Sequence, residues 1–158
     1  MLTQAPGPVF DPSRLALAFA QLPPQAWAVP HGPDDPVAAG YHFASLVQGT
    51  RRRPVADLFE FVLKEFAPVW TAWIAKVPAR GFIGPHIVQG PYRERWHVPI
   101  HPAGTFDGHE VEAGVSFPVA HWAPHQVDNP TDRARIHLVI DREELVDVPS
   151  TPFQRFVE

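Results

Sequence analysis

The sequence predicts an α+β protein that is mainly β, with helices first and a compact antiparallel β unit behind them. Two observations carry that expectation. Apolar residues recur at helical spacing only in the first half of the chain, and after Gly81 the texture becomes short runs of alternating polarity separated by turn signals. A third bounds the size: 158 residues, 45% apolar and 19% charged, are enough for one folded domain in spite of 20 prolines.

The elements follow in order. Asp11-Pro12 ahead of Leu15, Leu17, Phe19 and Leu22 reads as an N-cap and a first-position proline opening a short helix that stops before Pro23-Pro24. The stretch from Pro23 to Gly40 reads as loop, and Tyr41 to Val47 reads equally as a strand or a half-turn of helix. A second helix is expected from Pro54, with Val55, Leu58, Phe59, Val62 and Phe66 on one stripe. Pro68 interrupts it, and Val69, Trp70, Trp73 and Ile74 continue the stripe, which predicts a further helical piece ending before Pro78. On a partly exposed helix, Trp70 and Trp73 would suit either the core or a dimer interface, and oligomeric state stays open.

Strands are expected over Phe82 to Val88, Arg93 to Ile100, Thr105 to Phe106 pairing with His109 to Val111, Val115 to Ala120, His125 to Val127, and Arg135 to Ile140. Asp107-Gly108 suits a two-residue hairpin turn, and Asn129-Pro130 a turn before the last strand. One domain over 1–158 is expected: an N-terminal helical layer and loops over 1–77, a β core over 78–141, and a tail over 142–158.

Composition excludes several classes of function. The net charge is -4 and Arg51 to Arg53 is the only basic run, so nucleic acid is not an expected partner. No apolar stretch approaches the roughly 18 residues of a membrane span, and the N-terminus lacks a secretory pattern, so a soluble, cytoplasmic protein is expected. With no cysteine there are no disulfides, thiolate ligands or thiol nucleophile. Imidazole is then the soft ligand available. Six of the nine histidines lie between positions 86 and 125.

Alternation sorts the later strands into faces. Arg95, His97 and His101 are expected on one face of their strand, with Trp96, Val98 and Ile100 on the other. Arg135 and His137 likewise oppose Ile136, Leu138 and Ile140. Faces carrying only arginine and histidine suit a pocket for a dianion, since a guanidinium binds carboxylate bidentately. The alternative is a solvated face that is basic by chance.

Four ordered blocks carry a family resemblance: Pro85-His86, Arg95-Trp96-His97-Val98-Pro99-Ile100, Pro124-His125-Gln126-Val127-Asp128-Asn129, and Arg135-Ile136-His137-Leu138-Val139-Ile140-Asp141. The segment from Val77 to Asp141 resembles the catalytic part of the aspartyl/asparaginyl β-hydroxylases, iron(II)- and 2-oxoglutarate-dependent dioxygenases. That resemblance implies a cupin-like double-stranded β-helix, or jelly roll, with the N-terminal helices packed on one sheet. It implies that His86 and His125 bind iron, that Arg135 binds the distal carboxylate of 2-oxoglutarate, and that Arg95 and His97 line the cosubstrate site. His101, His121, Trp122 and Tyr92 would shape the substrate end. His31, His42 and His109 are expected in loops or turns without a role.

The chain departs from the wider class at Val88. Many 2-oxoglutarate enzymes carry a carboxylate there, two residues after the first histidine, and the resembled family has glycine. Ala120-His121-Trp122 also replaces the Asp-Asn pair common in relatives ahead of the second histidine. The expected activity is hydroxylation of an amino acid, a peptide residue or a related small molecule. A catalytically silent cupin-like module binding an anion or a protein partner is the alternative, and a cupin-like metalloenzyme of another class is a third reading.

Overall fold

The computed structural model describes residues 7–28, 41–86, 94–119 and 124–142. Helix α1 (Pro12–Ala20) begins where the sequence predicts: Ser13 N donates to Asp11 Oδ1 at 2.9 Å, and Pro12 takes the first helical position. A 3-10 turn over Pro24–Ala26 leads into β1 (Trp27–Ala28). The ambiguous segment is a strand, β2 (His42–Gln48), followed by the short β3 (Arg51–Arg52). The Val55 to Phe66 stripe is helical as expected. It consists of 3-10 turns over Pro54–Phe59 and Lys64–Phe66 flanking α2 (Glu60–Leu63).

Beyond Pro68 the helical expectation is corrected. Val69–Val77 is a nine-residue strand, β4, paired with neighbours on both sides. Trp70, Trp73 and Ile74 do fit a helical stripe, but six of the nine residues are β-branched or aromatic, and a run this short fits both periods. Pairing on two edges supplies the backbone hydrogen bonds that decide between them. Trp70 and Trp73 are therefore half-buried strand residues.

The β unit continues with β5 (Phe82–His86), β6 (Glu94–His101), β7 (Thr105–Phe106), β8 (Phe117–Val119), β9 (His125–Asp128) and β10 (Arg135–Arg142). Two antiparallel sheets result. The larger runs β1-β2-β4-β10-β6-β8, with β3 beside β2, and the smaller runs β5-β9-β7. Since β2 and β4 stand in the middle of the larger sheet, the expected helical layer over 1–77 is corrected too: residues 42–77 supply three of its strands, β2, β3 and β4.

Two cores sit on opposite faces of that sheet. On the outer face, Leu15, Phe59, Val62, Leu63 and Phe66 of the helical layer pack on Leu46, Ile74, Val98, Ile100, Leu138 and Ile140. Between the sheets lies a smaller cluster of Val77, Phe106, Phe117, Val119 and Val127. This is the jelly-roll arrangement with helices on one sheet.

The turns that hold the small sheet in place are built as the sequence implies. Asp107 and Gly108 have φ of 51° and 80°, the left-handed pair a tight hairpin needs, and Phe106 and His109 exchange backbone hydrogen bonds of 2.9 Å. Gly104, at φ 77°, leaves no room for a side chain against the backbone of Asp128 and Asn129. Asn129 is fully buried; its Nδ2 donates to Pro78 O at 3.0 Å and Arg133 O at 2.7 Å, while Oδ1 accepts from Thr131 Oγ1 at 2.6 Å. That network ties the turn before β10 to the end of β4.

Candidate active site

Strand β10 fixes the site. Every residue from Arg135 to Asp141 is buried. Ile136, Leu138 and Ile140 enter the core under the helices, so alternation turns Arg135, His137 and Asp141 to the space between the sheets. On the adjacent β6, Trp96 and Val98 pack on the helix side while Arg95 and His97 lie buried opposite.

The inner face is not arginine and histidine alone, which corrects the sequence reading. Asp141 receives Arg95 Nε at 2.7 Å and Arg95 Nη2 at 2.9 Å, and Thr71 Oγ1 donates to it at 2.8 Å. A bidentate buried pair of this kind neutralises Arg95 within the protein. The Arg95 guanidinium also lies 4.9 Å over the Trp73 ring, and Trp73 Nε1 donates to the Tyr41 hydroxyl at 2.9 Å.

Arg135 is different. It is 2% exposed, and among the described residues it has no carboxylate partner. Among the described residues its guanidinium hydrogen-bonds to His137 Nδ1 at 2.9 Å and lies 5.8 Å from the Phe106 ring. Desolvation pushes its pKa down to about 9, which leaves it protonated at neutral pH. A guanidinium this deeply buried, with no carboxylate partner among the described residues, calls for an anion. Tyr41 stands near both guanidinia. Burial raises its pKa, while the Trp73 hydrogen bond and the two cations partly offset that rise, so the phenol stays protonated.

The histidine tautomers follow from Arg135. Arginine can only donate, so His137 Nδ1 accepts and its ring is neutral with the proton on Nε2. His97 Nδ1 lies 3.0 Å from that same nitrogen and must therefore carry a proton, leaving its lone pair on Nε2. Both imidazole pKa values fall well below the usual range, first through burial and next through Arg135. His137 Nε2 is buried without a partner among the described residues.

Two irregularities in strand pairing place the remaining histidines. In β5–β9, Ile83 faces Val127 but His86 faces His125, so the register shifts by one residue across Gly84-Pro85. Strict alternation from Ile83 would set position 86 on the opposite face. The bulge brings it level with His125, which is buried and stacks on Phe106 at 5.6 Å. In β6–β10, Ile136 faces His101 while His137 faces Pro99, so Ile100 is the extra residue. That bulge corrects the expected grouping of His101 with Arg95 and His97. His101 is exposed on the helix side, with its ring 5.4 Å from Phe19.

Phe106 lies at the centre, 5.0 Å from His97 and 5.6 Å from His125 between ring centroids. The structure thus gathers His125, Arg135, Arg95 and His97 about one inter-sheet space, with position 86 in register beside His125. Val88, Tyr92, His121, Trp122 and His31 lie outside the described residues. His109 sits at the hairpin turn as expected, whereas His42, expected in a loop or turn, opens strand β2, its Nδ1 buried without a partner among the described residues. Sequence reasoning missed Asp141, Tyr41 and Phe106. Extending alternation one step past Val139 finds Asp141; nothing local points to Tyr41, which reaches the site through the pairing of β2 with β4.

No family model matches the chain, and neither does any curated protein. Solved structures do match in fold. An oxidoreductase of the 2OG-Fe(II) oxygenase family from Burkholderia pseudomallei aligns over 82% of this chain and 76% of its own, at 15% identity and a TM-score of 0.61. A Pseudomonas putida prolyl-4-hydroxylase aligns over 89% and 92%, at 16% identity and 0.57. The DMSP lyase DddQ of Ruegeria pomeroyi DSS-3 aligns over 94% and 80%, at 18% identity and 0.51. The likeness is one of fold, and this fold hosts more than one chemistry. Among the described residues no helix is long and apolar enough to cross a membrane.

Proposed function

We propose that this chain is an iron(II)- and 2-oxoglutarate-dependent oxygenase of the aspartyl/asparaginyl β-hydroxylase type, acting on an amino acid, a peptide residue or a related small molecule. The observation that carries the reading is Arg135, a buried cation without a carboxylate partner among the described residues, on the inner face that also receives His125. The cross-strand register of His86 and His125 fits a metal that takes imidazole nitrogen and keeps positions open. The fold likeness to solved 2OG-Fe(II) oxygenases supports the same class.

Iron(II) held by His86 and His125 would supply oxygen activation coupled to decarboxylation of 2-oxoglutarate to succinate. The protein does the rest. Arg135 would grip the distal carboxylate with the donors His137 leaves free, fixing which end of the cosubstrate reaches the histidines. Tyr41, whose oxygen already accepts from Trp73, retains an O–H to donate beside it. Asp141 cancels the charge of Arg95, so Arg135 is left to select the anion. Phe106, in contact with both Arg135 and His125, and Phe117 packed on it give that space an apolar lining.

The test is calorimetric titration of 2-oxoglutarate with and without manganese(II) as an inert stand-in, followed by succinate production with iron(II). Arg135→Met should weaken 2-oxoglutarate binding by about 100-fold, a loss of roughly 3 kcal/mol. Folding stability should hold or rise, because an unpaired buried charge is removed. His125→Ala should abolish the metal dependence. Failure of the wild-type protein to bind 2-oxoglutarate under either condition sinks the reading. Binding of equal strength without metal favours the silent anion-binding module, which the Arg135 cradle alone would support.

A further inference from the structure

The second bulge creates a feature that the inter-sheet site does not use. By turning His101 to the helix side, it adds that ring to a cleft of about 530 Å³ lined by Phe19, Lys76, Ala103, Arg133, Ala134 and Ile136. The larger sheet separates this cleft from Arg135: Ile136 forms part of its floor, while the neighbouring Arg135 and His137 lie on the other face of the strand. Its size lies within the range of small-molecule sites.

The lining divides by chemistry. Phe19, Ala103, Ala134 and Ile136 make an apolar floor, and Ile136 and Ala103 are buried. Lys76, His101 and Arg133 stand around it, and no acid lines the cleft. The ion pairs among the described residues lie elsewhere, at Arg52, Arg95 and Arg142, so none of these three side chains is paired with an acid among them. Lys76 contacts the Trp27 ring at 5.8 Å and His101 packs edge-on against Phe19, which gives both a defined position. In a chain whose net charge is -4, three such cationic or protonatable groups over one apolar floor run against the general balance.

We propose that this cleft is a second ligand site, separate from the inter-sheet pocket, for a small amphipathic carboxylate: an aromatic or branched apolar body on the floor, with its carboxylate between Lys76 and Arg133. Floor and rim each supply a part. The apolar floor gives the body burial, and the two long cations give the carboxylate charge-assisted hydrogen bonds.

The probe is naphthalene-2-carboxylate, with the uncharged naphthalene-2-carboxamide beside it. Titration of metal-free protein, followed by backbone amide NMR, should give saturable shifts at one probe per chain, largest around Lys76, Ala103 and Ala134. The carboxamide should bind about tenfold more weakly, and the double variant Lys76→Gln, Arg133→Gln should lose about tenfold for the carboxylate. Both residues are surface-facing, and an unchanged thermal midpoint shows that the variant still folds. Arg53→Gln, a basic residue off the cleft, should leave binding as it is. Equal binding of the carboxamide, unsaturable shifts, or shifts centred on His97 and Phe106 would overturn the proposal. Arg135→Met, which disables the inter-sheet site, should leave this binding intact; loss there would also overturn it.

Discussion

The two faces of β10 are both buried, yet they are built from different materials. Ile136, Leu138 and Ile140 on the helix side join a broad apolar core in which α1, the 54–66 helical stretch and four strands meet. Arg135, His137 and Asp141 on the other side share their face with Val139 and a small apolar cluster of Val77, Phe106, Phe117, Val119 and Val127. Burying polar groups costs free energy unless each is partnered, and among the described residues the partnering on this side is uneven: Asp141 is paired, Arg135 has no carboxylate partner, and His137 Nε2 has no hydrogen-bond partner. The outer face makes the fold stable. The inner face carries unmet hydrogen-bonding capacity, which packing alone would not retain.

The largest effect expected on the inner face comes from Asp141→Ala. It leaves Arg95 charged and buried without its carboxylate, and chemical denaturation should show a loss of about 4 kcal/mol. A loss under about 1 kcal/mol would mean that solvent reaches Arg95. On the outer face Leu138→Ala, at a fully buried position, should cost about 3 kcal/mol through the cavity it leaves. It should leave 2-oxoglutarate affinity nearly unchanged, since stability and binding belong to opposite faces. A large loss of affinity at full folding would erase the distinction.

A smaller effect is expected from acid. His97 and His137 have folded pKa values well below 6.5, whereas in the unfolded chain they take up protons near that pH. The unfolded state then binds more protons as pH falls, so the stability present above about pH 6.5 is lost progressively below it. Two such groups give about 2 kcal/mol between pH 6.5 and pH 5.5. Unfolding free energies measured across that window check the sign, and His137→Phe should roughly halve the slope. An unchanged slope would place the protonation elsewhere.

Much of the site was readable because alternation is a local property of a strand. The phase of β10 from Arg135 to Ile140, and of β6 from Arg95 to Ile100, could be read directly, as could the Asp107-Gly108 turn and the Asp11 cap. Reading failed where a residue's environment depends on a partner strand. Val69–Val77 satisfies a helical stripe and a strand equally well until β2 and β10 flank it. Asp141 was overlooked because the strand was expected to end at Ile140, one residue short of the carboxylate that pairs Arg95.

The sequence by itself determined the order of the strands after Gly81, apart from the expected His109 to Val111, of which only His109 bridges Phe106, together with the turn positions and the placing of Arg135 and His137 on the face opposite Ile136 and Leu138. Tertiary structure alone decided the phase of two histidines. One extra residue at Gly84-Pro85 sets position 86 beside His125, and one at Ile100 turns His101 away from His97. The reason is physical. A side chain's face follows from counting by twos along its own strand, but a bulge is a mismatch between two strands and exists only once they pair.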